Sequence, residues 1–222
     1  MIHIAISSDD NYKKQCYTLI LSALQNSSEK IHFHLINNGI NNNDLEQMKK
    51  VCLQYHSLFS IYSFDEITDG LVTDGTYNMS SYARLFLTRC LDREIEKIIY
   101  CDCDAVFLDD PVKLYEVDIS GYCAAGVLDF VRKNYRTSLG LNCKDNYINA
   151  GLILFNLKEL HKINFVDLVI SCISYYNGAV PHHDQGVINK VLKGNLKIID
   201  PRFNVLCPFF DLSIQRAKRL YD

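Results

Sequence analysis

The feature that most limits what this 222-residue chain can become is the alternation of strand-like and helix-like segments through its first half. "HIAIS" (His3 to Ser7) is a short β-rich run. It leads through "SDDNY" into "KKQCYTLILSALQNS", where Cys16, Leu19, Ile20, Ala23 and Leu24 follow helical spacing. "IHFHLIN" (Ile31 to Asn37) alternates like a strand. "NNNDLEQMKKVCLQYH" reads as a helix with Asn43 as N-cap and Leu45, Met48, Val51, Cys52 and Tyr55 on one face. "FSIYSF" (Phe59 to Phe64) is a third strand, "SSYARLFLTRCL" a helix opened by serines, and "KIIYCDCDAVFL" a fourth strand. Strands separated by helices imply a parallel, doubly wound sheet. In such sheets ligands sit outside the carboxyl ends of the strands. "SDDNY" and "DCD" both fall at such ends.

The second half is organised differently. "YCAAGVL" (Tyr122 to Leu128) and "INAGLILFN" (Ile148 to Asn156) are apolar strands joined by a polar stretch, "DFVRKNYRTSLGLNCKDN", long enough for a functional loop. Two helical segments follow, "NFVDLVISCISYYN" and "DQGVINKVLKG". The chain ends in "LKIIDPRFNVLCPFF" and a basic tail, "QRAKRLYD". A net charge of −3 leaves no footprint for nucleic acid. No apolar run reaches the roughly 18 residues of a membrane span, and "MIHIAISSDDNY" lacks the pattern of a signal peptide. A cytoplasmic location is expected, with any membrane association peripheral and through the basic tail. Nine cysteines, several in apolar stretches (Cys16, Cys52, Cys90, Cys123, Cys172), read as reduced core thiols.

The stretch "IIYCDCDAVFLDD" carries the chemistry. In a strand, residues i and i+2 share a side. If strand geometry persists through Asp104, Asp102 and Asp104 face one way and Cys101 and Cys103 the other. Two carboxylates so close repel unless a cation or solvent screens them. Oxygen donors suit a hard divalent cation such as Mg2+ or Mn2+, with positions open for phosphate oxygens. A lone D-x-D also fits a solvated turn after a strand. A zinc reading of "CDCD" lacks a second Cys or His pair at ligand spacing.

The D-x-D is not alone. "SSDDNY", "SSYARL", "IIYCDCDAVFLDD", "INAGLILFNL" and "HHDQGVIN" occur in one order along nearly the whole chain. In that order they resemble the motifs of the family 8 glycosyltransferases, retaining and metal-dependent enzymes that include lipopolysaccharide galactosyl- and glucosyltransferases and the glycogenins. The resemblance implies an α/β chain of GT-A type, the nucleotide-diphospho-sugar transferase fold, with a central, mostly parallel mixed sheet flanked by helices. It implies a single domain over 1–222, with a nucleotide-binding half to about residue 110 and a donor/acceptor half beyond it.

By the same resemblance, Ser7, Asp9, Asn11 and Tyr12 form the nucleotide loop. Asp9 and Asn11 would meet uracil or ribose, or else simply cap a helix. Arg84 would meet the donor sugar or nearby carboxylates, and otherwise is a surface arginine. Asp102 and Asp104 would hold Mn2+ (or Mg2+), with Asp102 and Cys103 also at the nucleotide. Asn149 and Ala150 would lie along the donor sugar, Gly151 permitting close approach. Asp184 would accept bonds from sugar hydroxyls and Gln185 would lie on the ring face near the anomeric carbon; a helix cap and a solvated amide are the alternative. Asp129 is a weaker candidate for sugar or acceptor contact. His182 and His183 read as loop residues rather than ligands.

Two departures stand out. The family's late H-x-x-G-x-x-K-P motif does not occur, so the C-terminal part of the family domain is expected to be missing, and metal affinity and turnover to suffer. Before "SSYARL" the stretch reads "DGTYNM", leaving Thr76 or Asn78 to reach the nucleotide. The implied function is transfer of galactose or glucose from UDP-galactose or UDP-glucose to a hydroxyl of a saccharide, lipid-linked glycan or glycoprotein. The rivals are a non-catalytic UDP-sugar binder, a sugar nucleotidyltransferase and a glycoside hydrolase. The acceptor, the donor hexose and the oligomeric state are not legible.

Overall fold

A computed structural model describes residues 1–69, 71, 79–131, 133–211 and 213 of the chain. Thr76, Asn78 and the basic tail lie outside the described residues. The core element is a seven-stranded mixed sheet in the order β3-β2-β1-β4-β6-β5-β7. Its strands are β1 (Ile2–Asp9), β2 (Ile31–Asn38), β3 (Leu58–Ser63), β4 (Lys97–Cys101), β5 (Ala124–Leu128), β6 (Ile148–Asn156) and β7 (Leu196–Ile198). β1 pairs in parallel with both β2 and β4, and β2 with β3. β6 runs antiparallel to both β4 and β5, and β7 is parallel to β5. β1 is therefore central and covered on both faces, which is why it reads as a near-continuous apolar run.

The chain winds outward from β1 through β2 to β3, then returns to lay β4 on the other side of β1. That reversal opens a crevice at the carboxyl ends of β1 and β4. Because β6 is antiparallel to β4, its beginning lies beside β4's end, with Leu152 opposite Cys101. Sequence-distant segments thus converge on one rim.

Two apolar layers hold the sheet. One face is covered by α1 (Lys13–Asn26) and α2 (Asn42–Gln54). α1 buries the five side chains its spacing predicts, Cys16, Leu19, Ile20, Ala23 and Leu24. Each large aliphatic among them contributes about 1.5–3 kcal/mol. α2 buries Leu45, Met48 and Cys52, while Tyr55 falls past its end and is 40% exposed. Its cap is Asn41 rather than Asn43, because Asn41 Oδ1 accepts the Asp44 amide. The other face is covered by α3 (Phe64–Ile67), a 3-10 segment (Met79–Phe86) running into α4 (Leu87–Cys90), α7 (Leu157–Lys162), α8 (Phe165–Tyr175) and α9 (His183–Val191). α5 (Val112–Tyr115) and α6 (Lys133–Ser138) are short turns, the latter inside the polar connection 129–146. All nine cysteines are free thiols, five of them buried.

Two expectations shift, and one strand had none. The segment from Ser80 to Leu91 is mostly 3-10, not one α-helix. β7 carries too short an apolar run to have announced itself. The fourth strand ends at Cys101 instead of running to Leu108, which is 87% exposed. The Asp102 amide still bonds the Gly151 carbonyl at 2.8 Å, but the Ala105 amide then folds back on the Asp102 carbonyl at 3.3 Å. Strand alternation therefore stops before Asp104.

Candidate active site

The rim's organising group is Arg84, at 4% exposure one of the most buried charges in the molecule. Neighbours in its 3-10 segment, Tyr82, Ala83, Leu85 and Phe86, are core residues, so the backbone carries Arg84 inward with them. Taking a guanidinium out of water costs several kcal/mol unless its donors are met. Here they are. Nη2 donates to Asp102 Oδ1 at 2.6 Å, and Nε to the Ser81 carbonyl at 2.9 Å and towards Asp184 Oδ2 at 3.1 Å. Nη1 donates to the Ala150 carbonyl. The guanidinium also lies over the Tyr100 ring, 4.4 Å from its centre. Burial opposes the charge, yet Asp184, Tyr100 and Asp102 outweigh it and hold Arg84 protonated more firmly than a free arginine.

Asp102 is pulled both ways. Burial pushes its carboxyl up, Arg84 pulls it down, and Asp184 and Asp104 push it up again, leaving it above the usual carboxylate range. A cation therefore already faces Asp102, so the expected repulsion from Asp104 is not its whole environment. Gly151 is required here: a β-carbon on it would stand 3.0 Å from Asn149 Oδ1 and 3.4 Å from Asp102 Oδ2.

A second polar group adjoins the first through Ala150. The Ala150 amide donates to Gln185 Oε1 at 3.0 Å, while its carbonyl receives Arg84. Gln185 Nε2 donates to Asp129 Oδ2 at 2.7 Å, and Asn149 Nδ2 reaches the same oxygen at 3.0 Å. Asp184 and Gln185 lie in the first turn of α9, which His182 and His183 lead into in left-handed conformation (φ 61° and 52°). Gly186 lets that turn close, since a β-carbon there would overlap the Pro181 carbonyl at 1.9 Å. Asn189, fully buried, accepts the Ile148 amide at 2.7 Å and donates to the Ile148 and Gln185 carbonyls. It ties α9 to the start of β6.

Arg84, Asp102, Asp129, Asn149, Ala150, Asp184 and Gln185 thus form one connected network. Asp104 is exposed but shares with Asp102, Asn149 and Gly151 a cavity of about 670 Å3 closed on its far side by Arg202 to Cys207. The Cys103 side chain packs against an apolar layer and does not line that cavity; burial lifts its thiol to about 11. Ser7, Asp9, Asn11 and Tyr12 stand at the end of neighbouring β1. Asp9 Oδ1 accepts the Asn11 and Tyr12 amides at 3.0 and 3.1 Å, so it does cap the turn after β1. The Ser7 hydroxyl is buried without a hydrogen-bond partner.

Three participants escape a sequence reading, and a fourth, His182, is read there only as a loop residue. Tyr147 and His182 meet at 2.7 Å (hydroxyl to Nδ1), and Gln185 Nε2 lies 3.3 Å from that nitrogen. Asn204 Nδ2 donates to Asn149 Oδ1 at 2.9 Å. Of Asn189, Tyr147, His182 and Asn204, only Asn189 had a signal, one helical turn after Gln185.

The sequence model of glycosyl transferase family 8 matches residues 3–221. A Haemophilus influenzae protein bearing a glycosyltransferase name is 29% identical over 213 residues, covering 91% of this chain and 63% of that one. Lipopolysaccharide 1,2-glucosyltransferase of Escherichia coli K12 is 22% identical, covering 92% and 62%. The chain thus spans about three fifths of the length of these relatives. Among solved structures, the galactosyltransferase LgtC in complex with donor and acceptor sugar analogs matches with a TM-score of 0.80 at 20% identity, covering 90% of this chain and 74% of that one. This likeness shows a shared GT-A fold.

Proposed function

The chain belongs to glycosyl transferase family 8, and on that premise we propose that it transfers a hexose, glucose or galactose, from a UDP-sugar to a hydroxyl acceptor with retention at the anomeric carbon. The observation that carries this reading is the network at the sheet's reversal point. Arg84 bridges Asp102, beside the crevice, to Asp184, which neighbours Gln185. Carboxylates and amides for a sugar thereby stand next to carboxylates for a diphosphate-bound cation.

The residues present suit such a cation, Mn2+ or Mg2+. Asp102 keeps Oδ2 outside its bond to Arg84, its side chain is 37% exposed, and exposed Asp104 lines the same cavity. These are hard oxygen donors that leave positions for phosphate and water. When bound, the cation supplies charge neutralisation for the departing UDP. The rest falls to the chain's own groups. Ser7, Asp9, Asn11 and Tyr12 take the nucleoside, Ser7 having a hydroxyl still to satisfy. Asp184 and Asp129 accept bonds from sugar hydroxyls, with Asn149 and Ala150 alongside. Gln185 is held by the Ala150 amide on one side and Asp129 on the other, which fixes its amide and supports its proposed place along the ring face. So engaged, it is a poor nucleophile. That supports front-face attack, in which the acceptor oxygen bonds the anomeric carbon as the phosphate oxygen leaves and takes up the acceptor's proton.

The whole chain is read as one catalytic domain, since a single sheet spans both halves. The acceptor class is a saccharide, lipid-linked glycan or glycoprotein. No helix among the described residues is long and apolar enough to cross a membrane. The test is UDP release from UDP-glucose and UDP-galactose with Mn2+, Mg2+ or EDTA, plus the anomeric configuration of the product. Turnover of one donor, only with cation and with configuration kept, is expected. UDP binding without turnover would support a non-catalytic binder, and an inverted product would remove the front-face route.

A further inference from the structure

At the other end of the sheet a second constellation lies outside everything described so far. We propose that His3, His32 and His34 form a binding site for a zinc-class transition-metal ion, separate from the carboxylate pair. Among the described residues, this is the only group of three or more His, Cys, Asp or Glu side chains gathered closely enough to hold an ion; one ligand atom from each lies within 4.8 Å of the others.

The sheet register builds it. His3 on β1 stands opposite His32 on β2. His32 and His34, two apart on one strand, share a face. The three rings lie together, with centres 4.1–5.5 Å apart. The same face of β3 supplies Ser60 and Tyr62. Ser60 Oγ bonds His32 Nε2 at 2.8 Å, and the Tyr62 hydroxyl bonds His34 Nδ1 at 3.0 Å. Metal-binding histidines almost always have the outer ring nitrogen held in this way, which fixes the ring and turns the other lone pair inward. The inward atoms are then His32 Nδ1 and His34 Nε2.

His3 Nδ1 meets His34 Nε2 at 3.0 Å. Two ring nitrogens that close need one proton between them, or one cation. A tetrahedral ion 2.0–2.1 Å from each nitrogen holds them about 3.3 Å apart, so this pair needs to move only a few tenths of an ångström, while His32, whose ligand atom lies within 4.8 Å of theirs, swings in to complete the site. Burial keeps all three imidazoles neutral, His3 down to about 4 and His34 to about 3, so their lone pairs are available at pH 7. The Met1 ammonium also weighs on His3, but it is paired with Glu29 at 3.2 Å. His34 is buried, while His3 is half-buried and lines a cavity of about 720 Å3 that also meets Glu94, Glu96 and Asp118. That cavity is the entry path. Three imidazoles favour Zn2+, Co2+ or Ni2+ over Mg2+.

The test uses the whole chain stripped with chelator and titrated with Zn2+ or Co2+ alone. One ion per chain is expected, undisturbed by millimolar Mg2+. The Co2+ form should show visible bands of nitrogen ligation without near-ultraviolet thiolate charge transfer. His3→Gln and His32→Gln should each weaken binding at least 100-fold, and Tyr62→Phe about 10-fold. Asp104→Asn should leave it unchanged, which keeps this result apart from the sugar-transfer reading. The proposal is overturned if no ion binds, if folded His3→Gln and His32→Gln bind as the parent does, or if a thiolate band shows that cysteines hold the metal.

Discussion

The carboxyl ends of β1 and β4 keep their charges and pair them; the amino-terminal half of β1 and β2 is built to expel charge. At the first, a guanidinium is drawn into the core because Asp102, Asp184 and two carbonyls meet it. At the second, three imidazoles lie side by side, His34 buried and His3 and His32 half-buried, and all are held neutral. Strand register gathers the histidines, whereas a 3-10 segment, the turn after β4 and the start of α9 bring the charges together. One sheet can thus present oxygen donors at one end and nitrogen donors at the other, each suited to a different cation. The difference also sets how each end fails. A paired buried charge fails when its partner goes; a neutral buried base fails when protons arrive.

The largest effect tests the charged end. Arg84→Met should cost about 3–5 kcal/mol in urea unfolding, because Asp102 and Asp184 lose their counter-charge. His34→Leu should cost only about 1–3 kcal/mol, since two neutral hydrogen bonds are lost. Equal losses would break the contrast. Next, Gln185→Glu puts a carboxylate where an amide now donates to Asp129 at 2.7 Å. It should lose about 2 kcal/mol at pH 7 through like-charge repulsion and regain part of it at pH 5, as one proton is shared between the pair. A pH-independent loss would show that charge is not the cause.

An effect of similar size, but set by pH, belongs to the histidine end. In metal-free protein the folded pKa of His34 is lowered to about 3, so the unfolded chain takes up a proton first. Its contribution is whole above about pH 6.5 and falls by about 1.4 kcal/mol per unit as pH drops below that. Urea midpoints between pH 7 and pH 5 with chelator present should show this slope, reduced in His34→Gln. A slope unchanged by the substitution would assign the loss to other groups.

Much of this architecture was legible in the residues. α1 was readable because five positions repeat at helical spacing, and β1, β2, β5 and β6 because their apolar runs are strong. The limit of β4 was not. Val106 to Leu108 look like strand, but the turn from Asp102 to Ala105 depends on β6 arriving from fifty residues away. The site residues were named from motif order, yet their mutual bonds were hidden. That Arg84 spans Asp102 and Asp184 is a tertiary fact without local signal. So are the roles of Asn204 and His182, set by chain reversal and left-handed backbone. The three histidines alternate openly in "MIHIAIS" and "IHFHLIN", but only parallel register brings them together.

The proposed transfer rests on Asp102 and Asp104 gripping a divalent ion bound to a nucleoside diphosphate. Its most direct test is calorimetric titration of the whole chain with UDP, in Mn2+ and then in EDTA, beside Asp104→Asn. Binding should need Mn2+ and weaken at least 100-fold in the variant, whose stability should stay within about 0.5 kcal/mol of the parent. UDP affinity that is the same with EDTA, or unaltered by Asp104→Asn, would contradict it.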